Sequence, residues 1–318
     1  MVGHEREPEF VELGADVEEP QEVGQQLDAA LALHPRNAAQ QVDLAVEILM
    51  GRFLVYAGIC TAIWFPFRAL MPWLTELVNA GPVPSADAWP AMIFGLFGML
   101  GVQTLVTIVS TMVVAILAYD ELVGVSTAPS QALARTLRRI PGLLLVFLFQ
   151  ALAVGVVVGT LMIVSFFCPP LFLFAGVAYL FLTWRFWVAP TALILEDLGA
   201  IDALKRSWRI TEGSAMRWLG VFVLSLLLVS FFSGVAGIGD DPGLRDMLLE
   251  ATGVPLPVFN VLFVGVSSLF MGLATALSAA IITSYYLDTR IRREGLDLLM
   301  RLERLQSLGD SGRAEPAR

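Results

Sequence analysis

Six long apolar blocks dominate this sequence and restrict the kind of structure it can form. They cover about residues 53–76, 91–117, 142–166, 170–190, 217–237 and 259–286. Each block is close to the roughly 20 residues that a helix needs to cross roughly 30 Å of hydrocarbon. A mean hydropathy of +0.73, with 57% hydrophobic and 15% charged residues, lies outside the usual range of soluble domains. The sequence therefore predicts an all-α integral membrane protein with six transmembrane helices.

The basic residues predict the orientation of these spans. All of the 20 Lys and Arg residues except Arg68 and Arg245 fall on the side that would carry both termini and the loops at 118–141 and 191–216. Short cytoplasmic loops carry an excess of Lys and Arg. We therefore expect a bacterial inner-membrane protein with both termini in the cytoplasm. Arg68 lies close enough to the far end of the first span to extend its side chain to the outer interface.

The regions outside the spans are short. Residues 1–40 contain an acidic segment poor in hydrophobic residues, which is typical of a disordered tail. Residues 41–290 form the predicted membrane domain, and residues 291–318 are expected to continue the last span as a charged cytoplasmic helix and tail. These segments leave no room for a soluble catalytic domain.

One charged stretch lies between two apolar blocks, and it has the pattern of a helix that lies flat on the membrane. Ile201, Leu204 and Trp208 recur on one face, where they would dip into the acyl boundary. The opposite face carries Lys205, Arg206 and Arg209, with Asp202 placed to support Arg206 one turn later. Three interpretations remain open: the charges fix the topology, they bind lipid headgroups, or they dock another protein.

The same arrangement recurs before the third span and, more weakly, before the first. Arg135, Arg138 and Arg139 lie opposite an apolar face, and Pro141 would open the span that follows. From Val42 onward the pattern repeats with acids in place of the bases. The sequence thus predicts three parallel units of about 42–117, 130–190 and 200–287, each an interfacial helix followed by two spans.

Small residues recur every fourth position in two spans, which predicts close helix packing. The longer stripe, in the sixth span, should place that span at the centre of the bundle or in a dimer. The stripes are Ser268, Gly272, Ala276, Ala280 and Ser284 in the sixth span, and Ala151, Gly155 and Gly159 in the third.

Residue types that carry catalysis are scarce. Both histidines, His4 and His34, lie in the N-terminal segment, and the interiors of the spans contain no acid to pair with a nucleophile. Cys60 and Cys168 should lie toward opposite sides of the bilayer, so neither a disulfide nor a metal site is expected. No GxxxxGK[ST] phosphate loop is present. We expect no catalytic residues, no metal and no cofactor.

Three stretches resemble the bacterial glycerophosphoryl diester phosphodiesterase membrane-domain family and related six-span proteins. They are FWVAPTALILEDLGAIDALKRSW at 186–208, ITEGSAMRWLG at 210–220 and TSYYLDTRIRREGLDL at 283–298. The resemblance implies an integral membrane accessory domain over roughly residues 40–300. The hydrolase activity that gives the family its name belongs to a separate soluble domain, which this sequence lacks.

Two functional classes follow from these patterns. The first is a non-enzymatic protein that handles lipids or assists transport, with anionic membrane lipids as partners. The alternative is a structural or assembly factor that recruits envelope proteins or a second copy of itself. An intramembrane enzyme is a third and weaker hypothesis, and we expect no nucleic-acid partner.

Overall fold

The structure is a computed structural model that describes residues 36–79, 89–238 and 242–295. All regular secondary structure within those ranges is α-helical, which confirms the predicted all-α class. The ten described helices are α1 (Ala38–Gly51), α2 (Phe53–Asn79), α3 (Trp89–Val123), α4 (Pro129–Ser165), α5 (Leu171–Phe186), α6 (Ala189–Leu195), α7 (Ala200–Thr211), α8 (Ala215–Ile238), α9 (Pro242–Thr252) and α10 (Leu256–Glu294).

Six segments of these helices are long and apolar enough to cross a membrane, so the chain is a multi-pass membrane protein. They are Phe53–Met71, Gly98–Val123, Pro129–Ser165, Leu171–Leu195, Ala215–Gly237 and Val258–Glu294. Helices α1, α6 and α7 lie at one end of the bundle with the C-terminal end of α10, and we call this end the α7 side. Its contacts include the Ser284 hydroxyl, which donates to the Gln41 carbonyl oxygen at 3.1 Å.

Helix α10 is the central element of the bundle. It packs against α1, α2, α3 and α8. The predicted small-residue stripe of the sixth span lies on this helix, and all five of its residues are buried. At Gly272 the backbone of α2 comes so close that a Cβ would lie 3.0 Å from the Thr61 nitrogen. Small residues on α10 therefore allow α2 to approach at backbone distance.

The second predicted stripe, on α4, does not pack. A Cβ added at Gly155 or at Gly159 would meet no heavy atom within 4 Å. No described helix packs against these two glycines, so the packing seam predicted there is not formed within the chain. The stripe faces outward instead.

The spans differ in how much of their surface the chain itself covers. In the most apolar windows of α3 and α10, 44% of residues are buried, whereas the windows in α4, α5–α6 and α8 are only 11–17% buried. The apolar side chains exposed on α4, α5 and α8 are those expected to face lipid.

The predicted three-unit repeat is only partly present. Units one and three begin with separate short helices, α1 and α7, as expected. The second unit has no separate interfacial helix, because α4 runs without a break from Pro129 through Pro141 to Ser165. The fourth span also carries an additional buried turn, α6, which has no counterpart in the other units.

One other expectation needs correction. The Arg68 side chain points into the bundle, where it donates to the Ala236 carbonyl oxygen at 3.0 Å and to the Ser267 hydroxyl. Helix α10 ends at Glu294, because Gly295 adopts a left-handed φ of 60° and its N–H caps the Ile291 carbonyl. Of the predicted tails, residues 1–35 and 296–318 lie outside the described residues.

Candidate functional site

An open groove lies between α7 and the outer face of α4. Its volume is about 1080 Å³. Phe149 and Ala153 of α4 and Phe186 of α5 form the apolar wall, and α7 with the preceding loop forms the other. The residues contributed by that second wall are Glu196, Leu198, Ile201, Asp202, Leu204, Lys205, Arg206, Trp208 and Arg209. The groove is therefore lined mostly by apolar side chains, with charges along one wall.

Helix α7 is held by the face that hydropathy would not select. Ala203, Ser207, Ile210 and Thr211 are buried against the protein, and the Ser207 hydroxyl donates to the Arg185 carbonyl oxygen at 2.6 Å. Of the predicted apolar stripe, Ile201 is 56% exposed and Trp208 is 40% exposed, whereas Leu204 is half-buried against the core. A helix with small residues inward can lie close to the bundle while it turns larger apolar residues toward the groove.

The loop before α7 is tightly fixed. Asp197 adopts a φ of 59°, which is uncommon for a residue with a side chain. Its carboxylate forms an ion pair with the Arg139 guanidinium on α4. After the helix, Gly213 adopts a φ of 69° and turns the chain into α8. The helix predicted from the spacing of Ile201, Leu204 and Trp208 lies within these bounds.

The three bases predicted to face headgroups separate into two environments. Lys205 and Arg209 are exposed beside the groove. Arg206 is not available to bind a headgroup in the same way, because its side chain is only 16% exposed and forms ion pairs with two carboxylates. The expected partner was also wrong: Asp202 lies 3.9 Å from the Lys205 Nζ, an exposed and therefore weak pair.

Arg206 belongs to a cluster that joins α7 to the end of α10, and we call it the Arg206 cluster. Its members are Glu196, Arg206, Tyr286, Arg290 and Glu294. The Arg206 Nε donates to Glu196 Oε2 at 2.8 Å, and its Nη2 donates to Glu294 Oε2 at 2.7 Å. Two arginines therefore face two carboxylates, and their charges balance within the cluster.

The other members close the cluster. The Tyr286 hydroxyl donates to Glu196 Oε1, and the Arg290 Nε donates to Glu294 Oε2 at 3.1 Å. Burial opposes the charge on Arg206, but hydrogen bonds with Glu294 and Glu196 outweigh it and raise the pKa of Arg206 above its usual value. Arg206 therefore keeps its charge and serves as a tie between α7 and α10.

Arg185 fastens the end of α5 to α7. Its guanidinium lies 4.5 Å from the Trp184 ring centroid and 4.6 Å from that of Trp208. Its Nη1 also donates to the Trp208 carbonyl oxygen at 3.1 Å. Cation–π contacts of this kind fix the aromatic rings as well as the arginine. Arg185, which the sequence analysis used only to predict the topology, therefore orients Trp208 at the groove.

An aromatic cluster lies next to this contact. The Trp187 ring centroid is 5.8 Å from that of Trp218 and 5.5 Å from that of Tyr285, and Trp218 stacks on Phe222 at 4.8 Å. Because these rings belong to α5, α8 and α10, the cluster ties three spans together at the α7 side. Within this cluster Trp218 is buried and Trp187 is half-buried.

The second basic copy lies apart from the groove. Arg135 and Arg138 are exposed on the first turns of α4 and do not line it. Arg139 is occupied by Asp197. The two copies that the sequence made equivalent therefore differ, because only α7 has an apolar cleft beside its exposed bases.

Sequence reasoning missed Glu196, Tyr286, Arg290 and Glu294 as a unit. All four lie within the stretches at 186–208 and 283–298 that carry the family resemblance. Their presence in those two stretches was the one signal in the sequence that could have pointed to the cluster. In the described ranges, no group of three or more His, Cys, Asp or Glu residues is placed to hold a metal ion.

Comparison with known proteins places most of the chain in one family. No curated protein matches the chain, and no solved structure matches it. The family described as a domain of unknown function, DUF7847, matches residues 38–289. That range contains all six spans up to the last turns of α10, together with α7 and the groove. The chain belongs to this family of unknown function, DUF7847.

Proposed function

We propose that this protein is a non-enzymatic membrane protein that handles lipid, and that it holds an anionic lipid in the groove between α7 and α4. The observation that carries the proposal is the combination of an apolar cleft of about 1080 Å³ with two exposed bases, Lys205 and Arg209, along one wall. A lipid has the matching character, since its acyl chains are apolar and its headgroup carries the charge.

The apolar part of the groove suits an acyl chain. Phe149, Ala153 and Phe186 form one wall, and Ile201, Leu204 and Trp208 face them from α7. Phe149 and Ala153 are one turn apart on α4, which places them in line along the direction of the span. An acyl chain that enters between these residues and α7 would replace its contacts with bilayer lipid by contacts with protein. It would expose no apolar surface to water.

The charged part suits a phosphate headgroup. Lys205 and Arg209 are one turn apart on α7, so their cations can reach the same phosphate. A base near an anionic lipid surface contributes about 1 kcal/mol, and salt weakens it. The two bases together should therefore contribute about 2 kcal/mol, or roughly 30-fold in affinity, to the binding of an anionic headgroup, and the nearby Asp202 carboxylate opposes part of this attraction.

The groups around the groove support binding more than chemistry. Glu196, the carboxylate at the groove that is half-buried, accepts hydrogen bonds from both Arg206 and Tyr286. A carboxylate held in this way is poorly placed to act as a general base. A non-enzymatic role also agrees with the resemblance to the membrane-domain family, and the excess of bases on the α7 side supports a bacterial inner-membrane protein with this side in the cytoplasm.

Native mass spectrometry in mild detergent tests the proposal. The purified protein is titrated with phosphatidylglycerol and with phosphatidylcholine, and the lipid-bound fraction is measured for three forms: unchanged, Lys205→Gln with Arg209→Gln, and Arg135→Gln with Arg138→Gln. The first double variant should lose roughly 30-fold in affinity for phosphatidylglycerol only. The second removes the same charge from α4 away from the groove and should bind normally.

Two results would reject the proposal. Equal losses in the two double variants would show attraction to the whole basic surface without a groove. Unchanged lipid binding in both, together with loss of a stoichiometric protein partner from the Lys205 and Arg209 variant, would favour the assembly-factor alternative.

A further inference from the structure

The turn between α4 and α5 is unusually apolar for a turn between membrane helices. We define the α4–α5 turn as Phe166–Pro170, with the sequence FFCPP. Phe166 is 88% exposed and Phe167 is 87% exposed. The residues that follow, Leu171 to Phe174, are also apolar, and the last three of them are exposed. Turns that lie in water normally contain polar residues or Gly, whereas this one presents two phenylalanine rings.

The backbone of the turn satisfies its own donors. The N–H groups of Phe166, Phe167 and Cys168 donate to carbonyls of the last turn of α4, at 3.0 to 3.2 Å. Those of Leu171, Phe172 and Leu173 donate to Cys168, Pro169 and Pro170 at 3.0 to 3.3 Å. Positions 169 and 170 are prolines, which have no N–H. Every backbone donor from Phe166 to Leu173 is therefore paired without water, so no N–H of the turn needs a partner outside the protein.

The hairpin is also shorter than the span beside it. The rings of Trp187 and Tyr285 are in contact, which gives α5 and α10 a common level on the α7 side. From that level, 16 residues lead back to Leu171, about 24 Å along α5, whereas 29 residues lead back to Leu256, about 43 Å along α10. The α4–α5 turn therefore lies about 19 Å nearer the α7 side than the start of α10.

We infer that the α4–α5 turn ends inside the bilayer and is covered by the acyl chains of the leaflet opposite the α7 side. Phe166 and Phe167 then project into hydrocarbon, and the paired backbone donors make this position tolerable. Acyl chains are favoured over a protein partner because the exposed side chains of this turn, two Phe and two Pro with the Cys168 thiol, include no charged group for recognition. This inference does not depend on the lipid groove, which lies at the other end of the same hairpin.

Cys168 provides a native probe for this position. It is exposed at the turn, whereas Cys60, the other cysteine of the chain, is buried against α10. In a Cys60→Ala background, right-side-out vesicles are treated with a membrane-impermeant maleimide before and after solubilisation in detergent. The control is Cys60→Ala, Cys168→Ala, Thr252→Cys, because Thr252 is exposed at the end of α9 on the same side of the bundle.

We expect the control cysteine to react in intact vesicles and Cys168 to react at least tenfold more slowly until detergent is added. Reaction of Cys168 in vesicles at the rate of the control would place the turn in water and overturn the inference. Folding of each variant is checked by its elution as a single species in detergent.

A second measurement separates lipid from protein as the cover. A fluorophore attached to Cys168 in detergent is returned to vesicles that contain nitroxide lipids, labelled either near the headgroup or along the acyl chain. Stronger quenching by the acyl-chain label is expected. Protection from maleimide without quenching by either lipid would mean that a protein, such as a second copy of the chain, covers the turn, and it would also overturn the inference.

Discussion

Gly272 of α10 packs directly against Cys60 of α2. A Cβ on Gly272 would lie 3.1 Å from the Cys60 Cβ and 3.1 Å from the Cys60 carbonyl carbon. Contacts this short with backbone atoms cannot be relieved by rotation of a side chain, so the helices would have to separate. Glycine is required here by space, and the close contact of α2 with α10 depends on it.

Gly272→Ala should therefore destabilise the protein, although alanine is the better helix former. Overpacking of a close interface costs about 1–3 kcal/mol, against a gain of about 0.5–1 kcal/mol from replacing glycine within a helix. Thermal unfolding in detergent should show a lower midpoint. Gly159→Ala is the matched control, because no heavy atom lies within 4 Å of its added Cβ. Equal midpoints for the two variants would contradict the packing described here.

Arg206 and Arg209 should respond differently to the same substitution. Arg206→Gln leaves Glu196 and Glu294 with Arg290 as the one remaining cation of a half-buried cluster, and we expect a loss of about 1–3 kcal/mol in unfolding free energy. Arg209→Gln removes an exposed charge and should change stability by less than about 0.5 kcal/mol. Denaturation monitored by tryptophan fluorescence measures both. Similar losses in the two variants would show that the Arg206 cluster does not hold α7 to α10.

Arg185→Lys keeps the charge on the α7 side but removes the planar guanidinium. Because a lysine cannot lie against Trp184 and Trp208 while it donates to the Trp208 carbonyl in the same way, we expect a loss of about 1–2 kcal/mol. The emission spectrum of the tryptophans should also shift. Arg135→Lys is the control, since Arg135 is exposed on α4. An unchanged spectrum and midpoint for Arg185→Lys would rule out its role in orienting Trp208.

The orientation of the six spans can be tested with reporter fusions. Fusions after Arg36, Pro84, Pro242 and Arg304 should report cytoplasm, periplasm, periplasm and cytoplasm, because all but two of the 20 Lys and Arg residues lie on the side of both termini. Periplasmic activity of a reporter at either terminus would reject this orientation.

The spans could be predicted from sequence because a run of about 20 apolar residues has few other uses. The α7 helix was also predictable, since Ile201, Leu204 and Trp208 repeat with a helical period. We expected that stripe at the acyl boundary, and Ile201 and Trp208 are exposed in the structure. The opposite face was not identified from the sequence: Ala203, Ser207 and Thr211 are the residues that face the bundle. In membrane proteins, close packing favours small residues, so the strongest apolar stripe points outward.

The Arg206 cluster could not be predicted, because its parts are far apart in the chain. Glu294 lies 88 residues from Arg206, and local spacing instead suggested Asp202 as the partner. For the same reason the two small-residue stripes looked equivalent. Gly272 and Gly159 have similar local patterns, and only the presence of a neighbouring helix distinguishes a buried position from an open one.

The central position of α10 also limits the order in which the protein can assemble. This helix is the last of the spans to leave the ribosome, yet α1, α2, α3 and α8 all pack against it. Until it arrives, Glu196 and Arg206 lack Glu294, and α2 lacks the surface that receives Cys60. The first five spans therefore enter the membrane before the helix that four of the described helices contact, and a chain interrupted during synthesis before residue 256 would lack all of those contacts.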